Sequence, residues 1–292
     1  MMDNLNGVSE KGEFLRRVQE RELSAKHQQL AQYIARHYRT AAALTAAQLG
    51  AEMGTSEATV IRLARELGYE GFPDLRRQLH GMIREDLNSL ELLARERSRS
   101  GGRDTLSAMV NTEVNHLNSL AVEVSRPDFL RLVHGLVGAS RVYIAGHRAS
   151  ASLAQFFGYS LAKVHPDVVT LAGGSDISFD AFRNVPPNSW MVAIGFARYP
   201  RETVELVDFA RHEKITAAAI TDRVLSPLAR RADFSLIIKA NPVSFVDSHC
   251  AASALIAALL VEYGMVAQAQ TETMLRRFER IVELRGIFHS EE

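Results

Sequence analysis

The chain has 292 residues, a length that allows two domains of ordinary size. Apolar residues make up 47% of it, and no charge-free apolar run is long enough to span a bilayer, so we expect a globular protein without a membrane partner. The single cysteine, Cys250, excludes an intramolecular disulfide and a multi-cysteine zinc site, and we predict neither a metal nor a cofactor. The polar, acidic start of the chain is unlike a signal peptide, which indicates a cytoplasmic protein.

The first strongly patterned region contains two short helices joined by a tight turn, with another helix before them. The upstream helix is predicted to begin near Ser24. The next is predicted from Thr45 to Met53, and its small residues would let another helix approach closely. Gly54 can adopt the left-handed conformation that ends a helix, because it has no Cβ atom. Ser56 is a favourable N-cap for the following helix, predicted from Glu57 to Leu67.

The helix from Glu57 to Leu67 has the pattern of a DNA-reading helix. Val60, Leu63 and Leu67 recur on one face and predict a buried stripe. The residues predicted to face outward or to cap the helix, and therefore to contact DNA, are Ser56, Glu57, Ala58, Thr59, Arg62 and Arg65. This pattern is typical of a helix-turn-helix whose second helix lies in the major groove, although an ordinary helical hairpin is an alternative.

The net charge does not distinguish a DNA-binding helix-turn-helix from an ordinary helical hairpin, because 34 basic side chains balance 34 acidic ones. The local distribution of arginines is therefore more informative than the net charge. The arginines of the N-terminal region are Arg36, Arg39, Arg62, Arg65, Arg76, Arg77 and Arg84. Several of them can line one face toward DNA, or they can form a solvated surface balanced by nearby glutamates.

The residues around the turn also carry a family resemblance. The segments Ser56–Val60, Leu67–Tyr69 and Gly71–Leu75 closely resemble the N-terminal domain of the RpiR/MurR family of bacterial transcriptional regulators. The resemblance covers about residues 20–87 and matches in both order and spacing. It implies an all-α helix-turn-helix DNA-binding domain, which we assign to residues 14–94.

Helical periodicity is predicted to break at residues 95–103, a charged stretch that ends in Ser-Gly-Gly-Arg and indicates a flexible linker. A new helix is predicted from Asp104 to about Val124. Its apolar face comprises Leu106, Met109, Val110, Val114, Leu117 and Leu120. Pro127 then stands at the start of another helix, where its missing N–H costs nothing.

Beyond Pro127, strands and helices alternate. Short apolar strands are predicted at 141–146, 168–171, 190–194, 217–221 and 234–239. The helices are predicted at 150–163, 202–212, 248–263 and 269–284. Continuous apolar strands that alternate with helices indicate a parallel sheet covered on both faces. We therefore predict a doubly wound α/β domain over residues 104–285, which would bind a ligand and mediate dimerisation.

Ligands of such sheets bind where the loops gather at the carboxyl ends of the strands. After the first predicted strand, Gly146–Ser150 leads directly into a helix, whose free N–H groups suit an anion together with Arg148 and Ser150. Gly195–Glu202 follows the third strand and carries two more arginines. The candidate ligand-binding residues are His147, Arg148, Ser150, Arg198, Tyr199, Arg201 and Ser248. The alternative is that these arginines pair with Asp222, Asp247 or Glu202 and bind nothing.

This half resembles a SIS domain, the sugar-isomerase-type module that binds phosphosugars, on the segments Ala218–Asp222 and Leu225–Asp233. The resemblance covers about residues 129–264 and implies a SIS-type doubly wound fold. In the phosphosugar-binding form, the first loop usually has a second glycine where this chain has Arg148. The later loop usually offers hydroxyl groups where this chain has Ala197 and Pro200. Guanidinium groups would thus replace hydroxyls, which favours a carboxylate or a phosphate.

Together the two resemblances imply a DNA-binding transcriptional regulator, a repressor, whose SIS domain senses an anionic small-molecule effector such as a sugar phosphate. The partner is then double-stranded operator DNA. A homodimer or homotetramer is expected, because each helix-turn-helix reads only a short half-site. The alternative function is a sugar-phosphate isomerase, for which Glu202 and His249 are the candidate acid–base pair. We predict no catalytic residues.

Overall fold

The computed structural model describes residues 10–86, 89–99, 104–173, 175–224, 226–240 and 245–289. The chain divides into two compact units, Met1–Leu92 and Leu93–Glu292. In the part of the chain that the structure describes, no single helix is long and apolar enough to cross a membrane. One pair, Cys250–Val266 with Gln268–Arg285, meets the length and composition only across a bend of 109°.

The first unit consists of helices over its described residues. They are α1 (Glu10–Gln19), α2 (Ala25–Arg36), α3 (Tyr38–Ala43), α4 (Ala46–Glu52), α5 (Glu57–Glu66) and α6 (Phe72–Asp86), and α7 (Ser89–Arg99) begins here. The core is formed by apolar residues at helical spacing, with Leu30, Ile34, Leu49 and Leu75 all 1% exposed or less. This packing confirms the predicted all-α domain.

The turn between α4 and α5 has the predicted construction. Thr45 caps α4 by accepting a hydrogen bond from the Gln48 N–H, and the Gln48 side chain accepts one from the Thr45 N–H in return. Gly54 has φ +58°, the left-handed conformation that the sequence predicts. A Cβ atom at Gly50 would lie 2.9 Å from the Thr55 carbonyl oxygen, so the small residue admits the turn backbone. Ser56 caps α5 by accepting a hydrogen bond from the Thr59 N–H.

Helix α7 corrects the predicted start of the linker. It extends through Arg99, so residues 95–99 are helical, although the sequence predicts a break at Arg95. The physical reason is that arginine and glutamate have high helix propensity, so a charged run does not by itself end a helix. Residues 100–103, which contain the glycine pair, lie outside the described residues.

The second unit contains the predicted alternation of strands and helices. Its helices are α8 (Thr105–Glu123), α9 (Arg126–Gly138), α10 (Ala151–Ala162), α11 (Ser175–Asp180), α12 (Arg201–His212), α13 (Cys250–Val266) and α14 (Gln268–Arg285). Its strands are β1 (Val142–Ala145), β2 (Val168–Leu171), β3 (Trp190–Ile194), β4 (Thr216–Thr221) and β5 (Phe234–Ile237). The sequence did not predict α11, and α13 begins two residues later than expected. A 3₁₀ turn over Arg148–Ser150 precedes α10.

All strands of the sheet are parallel, and their order is β2-β1-β3-β4-β5. Residues of one strand alternate between two cores, since Val142 and Ile144 pack on one face and Tyr143 and Ala145 on the other. Both faces are therefore covered, as the apolar strands predict. The strand order reverses between β1 and β3, and such a switch point opens a crevice at the carboxyl ends of those strands.

Helix α9 approaches β3 closely at Gly135. A Cβ atom there would lie 2.2 Å from a ring carbon of Trp190, the only tryptophan of the chain. We expect Gly135→Ala to lower the free energy of unfolding by about 1–3 kcal/mol, because the indole ring must move out of a packed position. Denaturant unfolding followed by Trp190 fluorescence measures this effect.

The matched control lies three residues away in the same helix. A Cβ atom at Gly138 has nothing within 4 Å, so Gly138→Ala should leave the unfolding midpoint close to that of the parent chain. Equal midpoints for the two variants would contradict the predicted contact between α9 and Trp190.

The apolar face predicted for α8 is exposed only in part in the single chain, since Met109 and Leu120 are half-buried and Leu120 packs against the core. Leu106 is 72% exposed, and Val110, Val114 and Leu117 are also exposed. These residues share one side of the helix because they recur at three- and four-residue spacing. The buried residue of α8 is instead His116, which is 6% exposed.

Candidate functional site

The first candidate site is the outer face of α5. Val60, Leu63 and Leu67 are fully buried, which confirms the predicted stripe. Ser56, Glu57, Ala58, Arg62 and Arg65 are exposed on the helix or at its cap. These five exposed residues run from the N-cap of α5 to its last turn.

Thr59 does not face outward as predicted, since only 7% of it is exposed. Its hydroxyl lies 2.9 Å from the Ser56 hydroxyl, and Arg62 Nη2 donates to it at 3.4 Å. The reason for the error is its position four residues before Leu63, which places it at the edge of the buried stripe. Thr59 therefore supports the N-cap and the Arg62 side chain rather than projecting from the surface.

The surrounding arginines differ in what they contact. Arg77 pairs with Asp74 at 3.0 Å, and Arg39 pairs with Glu91 at 2.9 Å. Arg36 and Arg76 are exposed, while the Arg84 side chain lies outside the described residues. The predicted basic surface is therefore partly neutralised.

Arg17 of α1 has a structural role that the sequence did not indicate. Its Nη1 donates to the carbonyl oxygens of Leu67 and Gly68 at 3.3 Å, and its guanidinium lies 4.6 Å from the centre of the Tyr69 ring. The last carbonyls of a helix lack partners within the helix, so a cation at that end is stabilising. Arg17 thus holds the C-terminus of α5.

The second candidate site is a pocket of about 450 Å³ at the switch point of the sheet. Its walls come from the turn after β1, the loop after β3, the first turn of α12 and the segment before α13. The lining residues are His147, Arg148, Ala149, Ser150, Phe196, Ala197, Arg198, Pro200, Glu202, Asp247 and His249. Four predicted ligand residues are therefore brought together there, namely His147, Arg148, Ser150 and Arg198.

Three predicted ligand residues do not line the pocket. The Tyr199 hydroxyl donates to Asp222 Oδ1 at 2.5 Å and accepts from Arg223 Nη2 at 2.8 Å, because its ring turns inward from the loop. Burial, followed by the Asp222 charge, raises the pKa of Tyr199. The side chain of Arg201 is 75% exposed and pairs with Glu205 one helical turn later. Ser248 is buried and donates to Glu113 Oε2 at 2.7 Å.

His147 lies at the base of the pocket and is 5% exposed. Its Nδ1 is 2.9 Å from the Thr203 hydroxyl of α12, which fixes the plane of the ring. Burial lowers the pKa of His147, and the nearby Glu202 charge only partly offsets this effect. The imidazole is therefore neutral near pH 7 and positions the pocket wall without adding charge.

Arg148 has φ +57°, a left-handed conformation that is uncommon for residues other than glycine. A glycine at this position would adopt the same conformation without a Cβ penalty. The chain instead places a guanidinium on the pocket wall at the start of the helical segment. A non-glycine residue in such a conformation is a signal of function.

The pocket is not uniformly basic, since Glu202 and Asp247 line it together with two arginines. The sequence indicates both acids as possible partners of the arginines, and Glu202 with His249 also as the candidate acid–base pair of an isomerase. His249 Nδ1 lies 3.4 Å from the Ser152 hydroxyl of α10. Such a site can bind an anion through its arginines and accept hydrogen bonds from hydroxyl or amino groups through its carboxylates.

Comparison with known families assigns both halves. Residues 14–86 match the helix-turn-helix domain of the rpiR family, and residues 135–262 match the SIS domain. Among solved structures, the sugar isomerase domain of an RpiR transcription factor from Sphaerobacter thermophilus is 24% identical, with a TM-score of 0.58. The match covers 61% of this chain and 99% of that one.

The Vibrio vulnificus NanR protein complexed with ManNAc-6P is also similar, with 19% identity and a TM-score of 0.60. Here the match covers 95% of this chain and 100% of that chain. At these identities the two structures show a shared fold, and the domain matches carry the assignment of each half.

Proposed function

The chain belongs to the RpiR family of helix-turn-helix transcriptional regulators with a C-terminal SIS domain, and we propose that it is a repressor whose SIS pocket binds a sugar phosphate. The observation that carries the proposal is the switch-point pocket, whose lining includes both Arg148 and Arg198. A charge-assisted bond to a guanidinium is stronger than one between neutral groups. The NanR complex supports the ligand class, because ManNAc-6P is a sugar phosphate.

Each lining residue has a proposed role in recognition. Arg148, Arg198 and Ser150 bind the phosphate at the N-terminal end of the α10 segment, where the helix dipole also favours an anion. Glu202 and Asp247 accept hydrogen bonds from sugar hydroxyls. Because the acidic residues contact the sugar hydroxyls and the arginines contact the phosphate, acidic residues are compatible with a pocket that binds an anion.

Arg148→Gly tests the role of the guanidinium while retaining a backbone that glycine adopts readily. We expect the full-length variant to bind sugar phosphates about 10–150-fold more weakly, since one charge-assisted hydrogen bond contributes about 1.5–3 kcal/mol. Thermal shift and calorimetric titration with a panel of sugar phosphates and sugar acids measure the change. In the parent chain, a ligand at 100 times its Kd should stabilise the fold by about 2.7 kcal/mol.

Arg201→Ala is the matched control, because it removes an arginine that follows β3, as Arg198 does, but that pairs with Glu205 and lies outside the pocket wall. It should leave ligand affinity unchanged. A sugar phosphate that binds parent and Arg148→Gly proteins equally would place the phosphate elsewhere. Steady conversion of a bound aldose phosphate to its ketose would favour the isomerase alternative, with Glu202 and His249 as acid and base.

We also propose that the protein is a cytoplasmic homodimer or homotetramer. The exposed apolar residues Leu106, Val110 and Val114 of α8 support an oligomer, because an apolar stripe of this kind is stabilised by burial against another chain. An oligomer would present two copies of α5 to the two half-sites of an operator.

A further inference from the structure

The segment before α13 faces in two directions. Asp247 and His249 line the pocket, whereas Ser248 between them turns away and is 7% exposed. The Ser248 hydroxyl donates to Glu113 Oε2 of α8 at 2.7 Å. The Ser248–Glu113 hydrogen bond therefore joins one wall of the pocket to α8, and the neighbouring Cys250 thiol also interacts with the Glu113 carboxylate.

The Glu113 end of this bond is also held in place. Only 14% of the Glu113 side chain is exposed, and His116 Nδ1 lies 3.4 Å from the same oxygen. A carboxylate with this degree of burial depends on its hydrogen-bond partners, because water cannot replace them fully. Loss of the Ser248 hydroxyl would leave the carboxylate under-compensated, so the two residues constrain each other.

Helix α8 is the first helix after the linker predicted at residues 95–103, and it carries the exposed apolar stripe that begins at Leu106. A movement of α8 would therefore alter both the linker attachment and any interface built on that stripe. The Asp247–His249 segment is the pocket wall that the Ser248–Glu113 side-chain hydrogen bond joins to α8.

We propose that Glu113 is a positioning residue for the effector pocket, and that the Ser248–Glu113 hydrogen bond transmits effector binding to α8. This inference rests on the proposed function, because it assigns a consequence to ligand binding in the same pocket. A ligand that contacts Asp247 and His249 moves the segment between them and so changes the bond that Ser248 makes with α8.

Hydrogen exchange on the full chain tests the positioning role without a ligand. We expect Glu113→Ala to accelerate exchange of the Ser253 amide, which donates to the His249 carbonyl oxygen, by about 5–10-fold, the factor that corresponds to one net hydrogen bond. Glu113→Gln should restore slow exchange, since its side-chain carbonyl still accepts from Ser248. Ser248→Ala should reproduce the effect of Glu113→Ala with a smaller change in packing.

Glu123→Ala is the control on the same helix, because Glu123 pairs with Lys239 outside the pocket wall. It should leave exchange of the Ser253 amide unchanged. If exchange of this amide is the same in the parent, Glu113→Ala and Ser248→Ala proteins, Glu113 does not position the pocket.

The transmission step is tested with ManNAc-6P and with inorganic phosphate as probes. Binding of either probe should change the exchange of α8 amides in the parent chain, and Ser248→Ala should abolish that change. A probe that binds both proteins and alters α8 equally would overturn the transmission step. If no member of the sugar-phosphate panel binds the parent chain, the proposed function fails, whereas the ligand-free exchange result still decides the role of Glu113.

Discussion

Arg62→Ala should weaken binding to the native operator by about 1–3 kcal/mol, or about 5–150-fold, and should relax selectivity at one base pair. Arg62 is exposed on the outer face of α5, one turn beyond Glu57 and Ala58, and its guanidinium is steadied by the Thr59 hydroxyl. A guanidinium held in this way matches the two acceptors that guanine presents in the major groove. Fluorescence anisotropy with the upstream region of the protein's own gene measures the affinity at a fixed salt concentration.

Arg77→Ala is the matched control for this experiment. Arg77 is an exposed arginine of α6 that pairs with Asp74, so its loss removes the same charge from a different surface. It should change binding to operator and unrelated DNA by the same small factor, because a phosphate contact carries no sequence information. Unchanged affinity and selectivity in Arg62→Ala would show that α5 is not the reading helix.

The effector should change operator affinity by about 5–150-fold, the scale of a coupling free energy of about 1–3 kcal/mol. Two half-sites require a fixed separation of two α5 helices, so a modest rearrangement of the second unit is enough to spoil the fit. In the proposed mechanism the effector binds in the SIS pocket and does not contact DNA. Operator titrations with and without saturating effector, at one salt concentration, measure the change.

Much of the fold follows from local patterns. Helical periodicity predicts the buried stripe of Val60, Leu63 and Leu67. The turn before α5 is predicted from Gly54, which adopts a left-handed conformation, and from Ser56, which caps the helix, because both effects involve only neighbouring residues. The strands were predicted because a parallel sheet buries both faces and therefore reads as apolar runs. The turn after β1 is predicted to bind an anion because it leads directly into the N-terminus of a helix, which is also evident from neighbouring residues alone.

The remaining errors concern side-chain direction within loops and contacts between distant residues. Tyr199 follows Arg198 in the same loop, but its hydroxyl bonds to Asp222, which lies 23 residues further on. Ser248 precedes a helix as predicted, yet it bonds to Glu113 across 135 residues. No periodicity in the sequence specifies such pairs, because they depend on how the strands and helices pack. The sequence shows that Arg148 stands where phosphosugar-binding SIS domains usually have a glycine, but only the folded chain shows that this arginine has a left-handed conformation.

We propose that the protein couples ligand binding in the SIS pocket to DNA recognition, and thermodynamic linkage tests this coupling directly. If the effector changes operator affinity by a given factor, operator DNA must change effector affinity by the same factor. We therefore propose calorimetric titration of the strongest sugar-phosphate ligand into the full chain, alone and in complex with operator, at one salt concentration. We predict Kd values that differ by about 5–150-fold and match the factor from the operator titrations. Equal Kd values in both titrations would show that the pocket and the helix-turn-helix are not coupled.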